Sequence, residues 1–201
     1  MDIIKQERHG VPFYACPDPA WSGTAHGFST RLGGVSPAPM DSLNLGASRG
    51  DAPANLRENF TRFCAAAGAD ANALVKNQQI HSNIIRPVTR ADIMDSPASP
   101  GVFEADGLIT NEPGVCLTIF SGDCIPILLY DPVRRCIAAA HAGWRGTAAG
   151  IAGGLGAFGA LLGSGLRVQL LADRVYGLLQ IIHTSLDILQ SLYHMNLALH
   201  D

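Results

Sequence analysis

The chain has 201 residues, which is enough for one sizeable hydrophobic core or for one domain with a short appendage. Apolar residues make up 47% and charged residues 15% of the chain, a composition that excludes an intrinsically disordered protein. The formal net charge of -3 shows no basic surplus, so we expect no nucleic-acid-binding surface.

The cysteines and the N-terminus bear on the compartment. The five cysteines form no C-x-x-C pair, and the odd count favours reduced thiols over a disulfide framework. The N-terminal segment MDIIKQERHG is polar and charged, unlike a secretory signal. Residues 146–166 carry no charge, but their many glycines argue against a membrane span. We therefore expect a cytoplasmic protein without a membrane segment.

In the first third of the chain, residues 24–30 predict a strand that runs into a turn-rich loop at 31–37. Residues 53–68 predict a helix with Pro53 near its start and Gly68 at its end. The apolar side chains expected on one face of this helix are Leu56, Phe60, Phe63 and Cys64.

Between residues 74 and 141, short apolar runs alternate with turns. The predicted strands are 74–81, 84–88, 105–110, 115–120, 125–130 and 136–141. His81, Cys124 and His141 each fall where such a run ends, and a helix is expected after Gly146. Strand ends are places where a rigid sheet brings distant residues together, so these three side chains are candidates for one site.

Zinc prefers thiolate sulfur and imidazole nitrogen, and a catalytic zinc site has three protein ligands and one open position. His81, Cys124 and His141 have the right chemistry for such a set. Their spacing alone leaves other interpretations open. A histidine after an apolar run is often simply hydrogen-bonded, and a lone cysteine is often an inert small hydrophobe.

Six short sequence strings within residues 26–147 favour the metal-ligand interpretation of these three residues. In chain order they are HGFSTRLGGVS, SLNLG, NQQIHS, ADGLIT, SGDCIPILLYDP and HAGWRGT. Together they closely resemble the YfiH family, also called the multicopper polyphenol oxidase or laccase-domain family. The resemblance covers about residues 20–152.

The resemblance implies that His81, Cys124 and His141 bind a catalytic metal, described as zinc in the family and as copper in some members. It implies an α/β fold with a mixed β-sheet core flanked by helices. It also implies phosphorolysis of adenosine, inosine, guanosine and methylthioadenosine, with adenosine deamination as a second activity. The expected partners are therefore a purine nucleoside and phosphate.

Four further residues are candidates for substrate contact or catalysis. Arg31, in a glycine-flanked loop, and Arg145, at the start of a helix, suit phosphate, although each can also be an exposed solubilising charge. Asn44 is a substrate contact or a turn former, and Asp123 is a base or a residue that orients a ligand. Trp144 is expected to pack rather than to stack on a base.

The C-terminal part departs from the family pattern. Family members continue after the H-A-G-W-R-G-T string with an amphipathic helix, a strand and a Gly-Pro loop, whereas residues 153–201 are apolar with poor periodicity. We expect a catalytic domain at 1–152 and an atypical segment at 153–201, truncated or divergent, that does not complete the family's sheet.

Three other functions remain open from the residues alone. A cysteine-nucleophile hydrolase would use Cys124 activated by His141 or His81. A copper-dependent polyphenol oxidase is suggested by the family's older name, although multicopper oxidases need many histidine ligands. An inactive truncated remnant is suggested by the unusual C-terminal segment.

Overall fold

A computed structural model describes residues 2–161, with side chains described as far as residue 156. The described strands are β1 (Ile4–Arg8), β2 (Val11–Ala15), β3 (Phe28–Ser29), β4 (Leu74–Lys76), β5 (Ile85–Pro87), β6 (Gly107–Thr110), β7 (Cys116–Thr118), β8 (Ile125–Asp131) and β9 (Cys136–Ala142). The described α-helices are α1 (Pro53–Ala67), α2 (Trp144–Ala148) and α3 (Ile151–Leu161). Among these, no helix has both the length and the apolar character that a membrane crossing requires.

The strands form three sheets. Strands β1, β2 and β3 make an antiparallel sheet, β4 and β7 pair in parallel, and the third sheet has the order β5-β6-β9-β8. In this third sheet β5 and β6 are parallel, whereas β9 is antiparallel to both of its neighbours. Mixed sheets with flanking helices confirm the predicted fold class.

The main core lies between the four-stranded sheet and α3. Ile151 and Leu155 of α3 are buried in one cluster with Ile127 and Leu129 of β8 and with alternate residues of β9. The contributions of β9 to this cluster are Cys136, Ala138, Ala140 and Ala142. Because the alanine side chains are small, the helix can lie close to the centre of the sheet.

Helix α1 confirms the prediction made for residues 53–68. Pro53 stands at its first turn, where its missing N–H costs nothing, and Gly68 ends it in the left-handed conformation at φ 80°. Leu56, Phe60 and Cys64 are buried as expected, while Phe63 is only partly buried. The face of α1 therefore packs on the N-terminal sheet and on the loops beside the central strands.

Several predicted strands are shorter in the structure. The predicted strand 74–81 ends at Lys76, and the predicted strand 115–120 ends at Thr118. Beyond these strand ends, Gln78 makes an isolated parallel bridge with Glu104, and side-chain-to-backbone hydrogen bonds join Gln79 to Phe120. Helix α3 continues across the expected boundary at residue 152. Residues 162–201, most of the segment predicted to be atypical, lie outside the described residues.

Candidate metal centre

The three candidate ligands come from three different parts of the fold. His141 is the penultimate residue of β9, Cys124 immediately precedes β8, and His81 lies in the loop between β4 and β5. The prediction that all three end a strand is thus wrong for His81, which lies in a loop, and for Cys124, which lies just before a strand. Antiparallel pairing places Ile125 opposite Ala142, so Cys124 and His141 meet at the same edge of the sheet.

The donor atoms converge. One ligand atom from each of His81, Cys124 and His141 lies within 4.8 Å of the others. The Cys124 sulfur is 3.8 Å from His81 Nε2, and the two imidazole rings lie edge to face with centroids 4.8 Å apart. The spread of at most 4.8 Å among the three ligand atoms is well below the roughly 8 Å beyond which no zinc coordination shell could bridge the residues.

The donor set fits a metal ion with an open coordination position. Ligands at 2.0–2.3 Å from a tetrahedral zinc stand about 3.3–3.6 Å from one another, so the side chains need to close by roughly 1 Å. Two imidazoles and one thiol are soft enough for zinc or copper, and three protein ligands leave a position for water or substrate. This group can therefore hold a catalytic metal.

Asp106, which the sequence analysis did not single out, lies beneath the two histidines. Its side chain is fully buried and accepts a hydrogen bond of 2.8 Å from His141 Nδ1. It also accepts from Ser82 and from backbone N–H groups of the His81 loop. Burial by itself raises the pKa of Asp106, but the hydrogen bonds from His141 and Ser82 outweigh it and lower the pKa below its ordinary value.

A second connection joins the His81 loop to the Cys124 loop. Gln79 Nε2 donates to the Phe120 carbonyl at 2.7 Å, and the Phe120 N–H donates to Gln79 Oε1 at 2.6 Å. The side chain of Gln79 thus pairs with the Phe120 backbone as a strand would. His81 itself has a backbone φ of 61°, a left-handed value that is uncommon outside glycine, and its Nε2 faces the Cys124 sulfur.

Gly143 leaves room for all three ligands. A Cβ atom at this position would lie 2.8 Å from His81 Cδ2, 3.3 Å from Cys124 Sγ and 3.6 Å from His141 Cε1. The absence of a side chain is therefore required by the close approach of the ligands. Gly143 belongs to the HAGWRGT string, where sequence reasoning had singled out only the histidine, the tryptophan and the arginine.

The electrostatic surroundings of Cys124 favour a protonated thiol when no metal is bound. Burial raises the pKa of this thiol, and the neighbouring Asp123 carboxylate raises it further. Asp123 Oδ1 is 3.7 Å from the sulfur. A bound metal deprotonates a coordinating thiol outright, whereas a nucleophilic cysteine needs a lowered pKa.

The ligands open onto a large cleft of about 1490 Å³. Asn44 and Asp123 also line it, and so do three cations that were not among the sequence-based phosphate candidates: Arg49, Lys76 and Arg135. Ligand sites of enzymes commonly measure 300–1,000 Å³, so the cleft has room for a nucleoside and an anion.

The structure does not bring Arg31 and Arg145 to the described lining of this cleft. Arg31 is exposed and forms an ion pair of 2.8 Å with Asp41. Arg145 stacks over the ring of Trp144, with 5.2 Å between the guanidinium carbon and the ring centroid. Trp144 is 63% exposed, so the expectation that it packs is wrong. Helix α2 has only five residues and no side-chain N-cap.

The side chain of Asn44 forms its hydrogen bonds with nearby residues of the same loop region. Its Nδ2 donates to Asp51 Oδ2 at 3.0 Å, and its Oδ1 accepts from the Gly46 N–H at 3.0 Å. Asp51 accepts further hydrogen bonds from Ser36 and Asn55, which together with that from Asn44 lower its pKa to about 2. These contacts anchor the loop on the N-terminal end of α1.

Residues 25–157 match the family model described as multi-copper polyphenol oxidoreductase laccase. The chain belongs to this family. The match contains every candidate ligand, and it confirms the resemblance drawn from the six strings.

Relatives of the family are similar in sequence and in structure. A Deinococcus radiodurans protein named purine nucleoside phosphorylase is 41% identical over 69% of this chain and 49% of its own length. The purine nucleoside phosphorylase YlmD of Geobacillus stearothermophilus is 38% identical over 76% of this chain and 56% of its own. The crystal structure of G. stearothermophilus YlmD superposes with a TM-score of 0.69 at 34% identity, covering 77% of this chain and 57% of that one.

A Bacillus licheniformis protein, YfiH, gives a second structural match. Its crystal structure superposes with a TM-score of 0.69 at 31% identity, over 80% of this chain and 60% of that one. The chain thus spans about half the length of the curated relatives it matches.

Proposed function

We propose that the chain is a zinc-dependent purine nucleoside phosphorylase that converts adenosine, inosine, guanosine or methylthioadenosine and phosphate into free base and ribose 1-phosphate. Deamination of adenosine is the proposed second activity. The observation that carries the proposal is the convergence of His81, Cys124 and His141 at the edge of a large cleft. The relatives named purine nucleoside phosphorylase supply the substrate class.

The chain's own residues divide the work. His81, Cys124 and His141 would hold the ion, which supplies Lewis acidity for an oxygen atom and lowers the pKa of bound water. Asp123, which lines the cleft beside Cys124, is the proposed base or orienting carboxylate. The free cysteines, Cys124 among them, agree with a reducing compartment, and we propose the cytoplasm.

The phosphate needs cations. The proposed phosphate residues are Arg31 and Arg145, whose guanidinium groups suit bidentate contact, with Asn44 as a further substrate contact. Arg49 competes for the phosphate role because it lines the cleft. A variant of each arginine therefore tests which of them serves the site.

Two alternatives fit less well. A cysteine-nucleophile hydrolase needs a lowered thiol pKa, whereas the pKa of Cys124 is raised. A copper-dependent polyphenol oxidase agrees with the family's description, but residues 2–156 offer one group of three ligands instead of the several copper sites of multicopper oxidases.

The deciding experiment is phosphate-dependent release of base from a panel of nucleosides by the zinc-loaded full chain. We expect base and ribose 1-phosphate only when phosphate is present, and inosine from adenosine as the sign of deamination. Cys124→Ala should lose bound zinc and both activities together. A folded, zinc-loaded chain that releases no base from any of the four nucleosides would refute the proposal.

The phosphate role is tested by steady-state kinetics. Arg31→Ala and Arg145→Ala should raise the KM for phosphate more than the KM for nucleoside. Arg49→Ala is the comparison variant. If Arg49→Ala alone of these three variants raises the KM for phosphate, the role belongs to a cation that lines the cleft, and Arg31 and Arg145 are solubilising charges.

A further inference from the structure

Asp106 is a buried carboxylate with an unusual set of partners. It stands just before β6, and its side chain is completely inaccessible to solvent. Burying a charge is costly unless hydrogen bonds compensate it. Here five hydrogen-bond donors compensate the charge, and they belong to the two histidines or to the residues on either side of His81.

The two carboxylate oxygens divide these donors. Oδ1 accepts from His141 Nδ1 at 2.8 Å and from the His81 N–H at 3.1 Å, so one atom contacts both ligand residues. Oδ2 accepts from the Ile80 N–H at 3.2 Å, from the Ser82 N–H at 2.6 Å and from Ser82 Oγ at 2.7 Å. Asp106 therefore holds the whole 80–82 turn against the end of β9.

The contact with His141 also sets which ring nitrogen faces the site. An ionised carboxylate only accepts hydrogen bonds, so Nδ1 of His141 must donate and must carry a proton. The Nε2 lone pair is then free for a metal. The backbone supports the same placement, because the His141 N–H donates to the Asp106 carbonyl at 2.7 Å.

We propose that Asp106 is the positioning residue of the metal centre, holding the His81 turn and the His141 imidazole in binding geometry before a metal arrives. The inference rests on the metal-binding part of the proposed function but not on phosphorolysis. Asp106, the Asp of the ADGLIT string, would thus hold the two histidines in place through hydrogen bonds, without binding the metal itself. Carboxylate partners of metal-binding histidines typically account for 10–100-fold in affinity.

The side chain must be a carboxylate, not merely polar. In Asp106→Asn the amide nitrogen would have to replace an oxygen that now accepts either two hydrogen bonds at Oδ1 or three at Oδ2. An NH2 group facing N–H donors repels them. The isosteric variant therefore disturbs the histidines without leaving a cavity.

The matched control is Asp131→Asn. Asp131 is also buried, with its side chain 3% exposed, and it accepts hydrogen bonds from the Val133 and Arg134 N–H groups. It lies at the opposite end of β8 from Cys124, so its loss affects stability without touching the site.

The experiment measures zinc affinity of the full chain by competition with a chromophoric chelator, together with the absorption spectrum of the cobalt-substituted protein. We expect Asp106→Asn to bind zinc about 10–100-fold more weakly than wild type and to change the cobalt spectrum, with Asp131→Asn like wild type in both. Zinc affinity and cobalt spectrum of Asp106→Asn equal to wild type would overturn the inference, as would an equal loss in Asp131→Asn.

If Asp106→Asn does not fold, Ser82→Ala decides. At a half-buried position, it removes the hydrogen bond that Ser82 Oγ donates to Oδ2 and the one that Oγ accepts from the Ile84 N–H. Zinc affinity lower by roughly 2–10-fold supports the inference, and an unchanged affinity overturns it. A wild-type chain that binds no zinc refutes the proposed metal centre itself, an outcome separate from either of these.

Discussion

Replacing Gly143 with alanine tests whether the three ligands converge as described. Gly143 has an ordinary φ of -68°, so the alanine backbone is not strained there. The new methyl group would lie 2.8 Å from His81 Cδ2, with Cys124 Sγ at 3.3 Å and His141 Cε1 at 3.6 Å. The variant therefore acts through the ligands and not through the main chain.

The size of the effect follows from these distances. Carbon atoms in favourable contact stand about 3.5–4.0 Å apart, so the His81 ring must move by roughly 0.7 Å or more. Zinc–ligand distances tolerate shifts of about 0.2 Å. We expect zinc affinity to fall by tenfold or more, which corresponds to about 1.4 kcal/mol. His81 is exposed and can swing outward, so the unfolding free energy of the metal-free protein should change by less than about 0.5 kcal/mol.

The assay is chelator competition for zinc alongside thermal unfolding of the metal-free protein. Gly122→Ala is the control, because a Cβ at Gly122 meets nothing within 4 Å although the residue lies close to Cys124 in sequence. Zinc binding by Gly143→Ala at wild-type affinity would refute the described convergence. A large loss of stability in the metal-free Gly143→Ala would show that the methyl group acts on the core instead.

Two further predictions concern the neighbouring side chains. Gln79→Ala removes two hydrogen bonds to the Phe120 backbone, so we expect the unfolding free energy in urea to fall by about 1–3 kcal/mol and zinc binding to weaken. The control is Gln78→Ala at the neighbouring exposed position, which should leave both quantities unchanged. Burial lowers the pKa of Lys76 from 10.5 to about 8, so the unfolded chain binds the extra proton between these values and stability rises with pH across that window. Lys76→Met also removes the 2.6 Å hydrogen bond from Nζ to the Pro97 carbonyl, so the test is the pH dependence: the rise in unfolding free energy between pH 8 and pH 10 should be smaller in the variant, and an equal rise in urea denaturation would contradict this.

The sequence predicts the parts of the fold whose cause is local. Helix α1 follows from its apolar face, its proline and Gly68, and β8 and β9 follow from apolar runs separated by a turn at Asp131. The conformation of the His81 loop is set by residues distant in sequence, so the local sequence does not predict it. Its partner Asp106 lies 25 residues away, and the partner of Gln79 lies 41 residues away, so periodicity continued the strand too far.

The sequence predicts the three candidate ligands that the structure brings together, but not the residues that hold them in place. His81, Cys124 and His141 could be selected by chemistry and by family strings, because metal ligands are few in type. Asp106 gave a usable signal, since an acidic residue directly before an apolar strand must be paired if it is buried. The arginines show what such reasoning leaves open, because a guanidinium group suits phosphate wherever its loop lies, and only the fold shows that Arg31 also pairs with Asp41.

The register of one hairpin connects the core to the site. Ala140 pairs with Ile127, and both point into the cluster covered by α3. His141, one residue on, pairs with Pro126 and points to the other face, where both residues line the cleft. A shift of one residue would exchange these faces, burying the imidazole under the helix and exposing the alanines. The small apolar residues of β9 therefore do more than fill the core, since the helix that packs on them fixes the register that brings His141 beside Cys124.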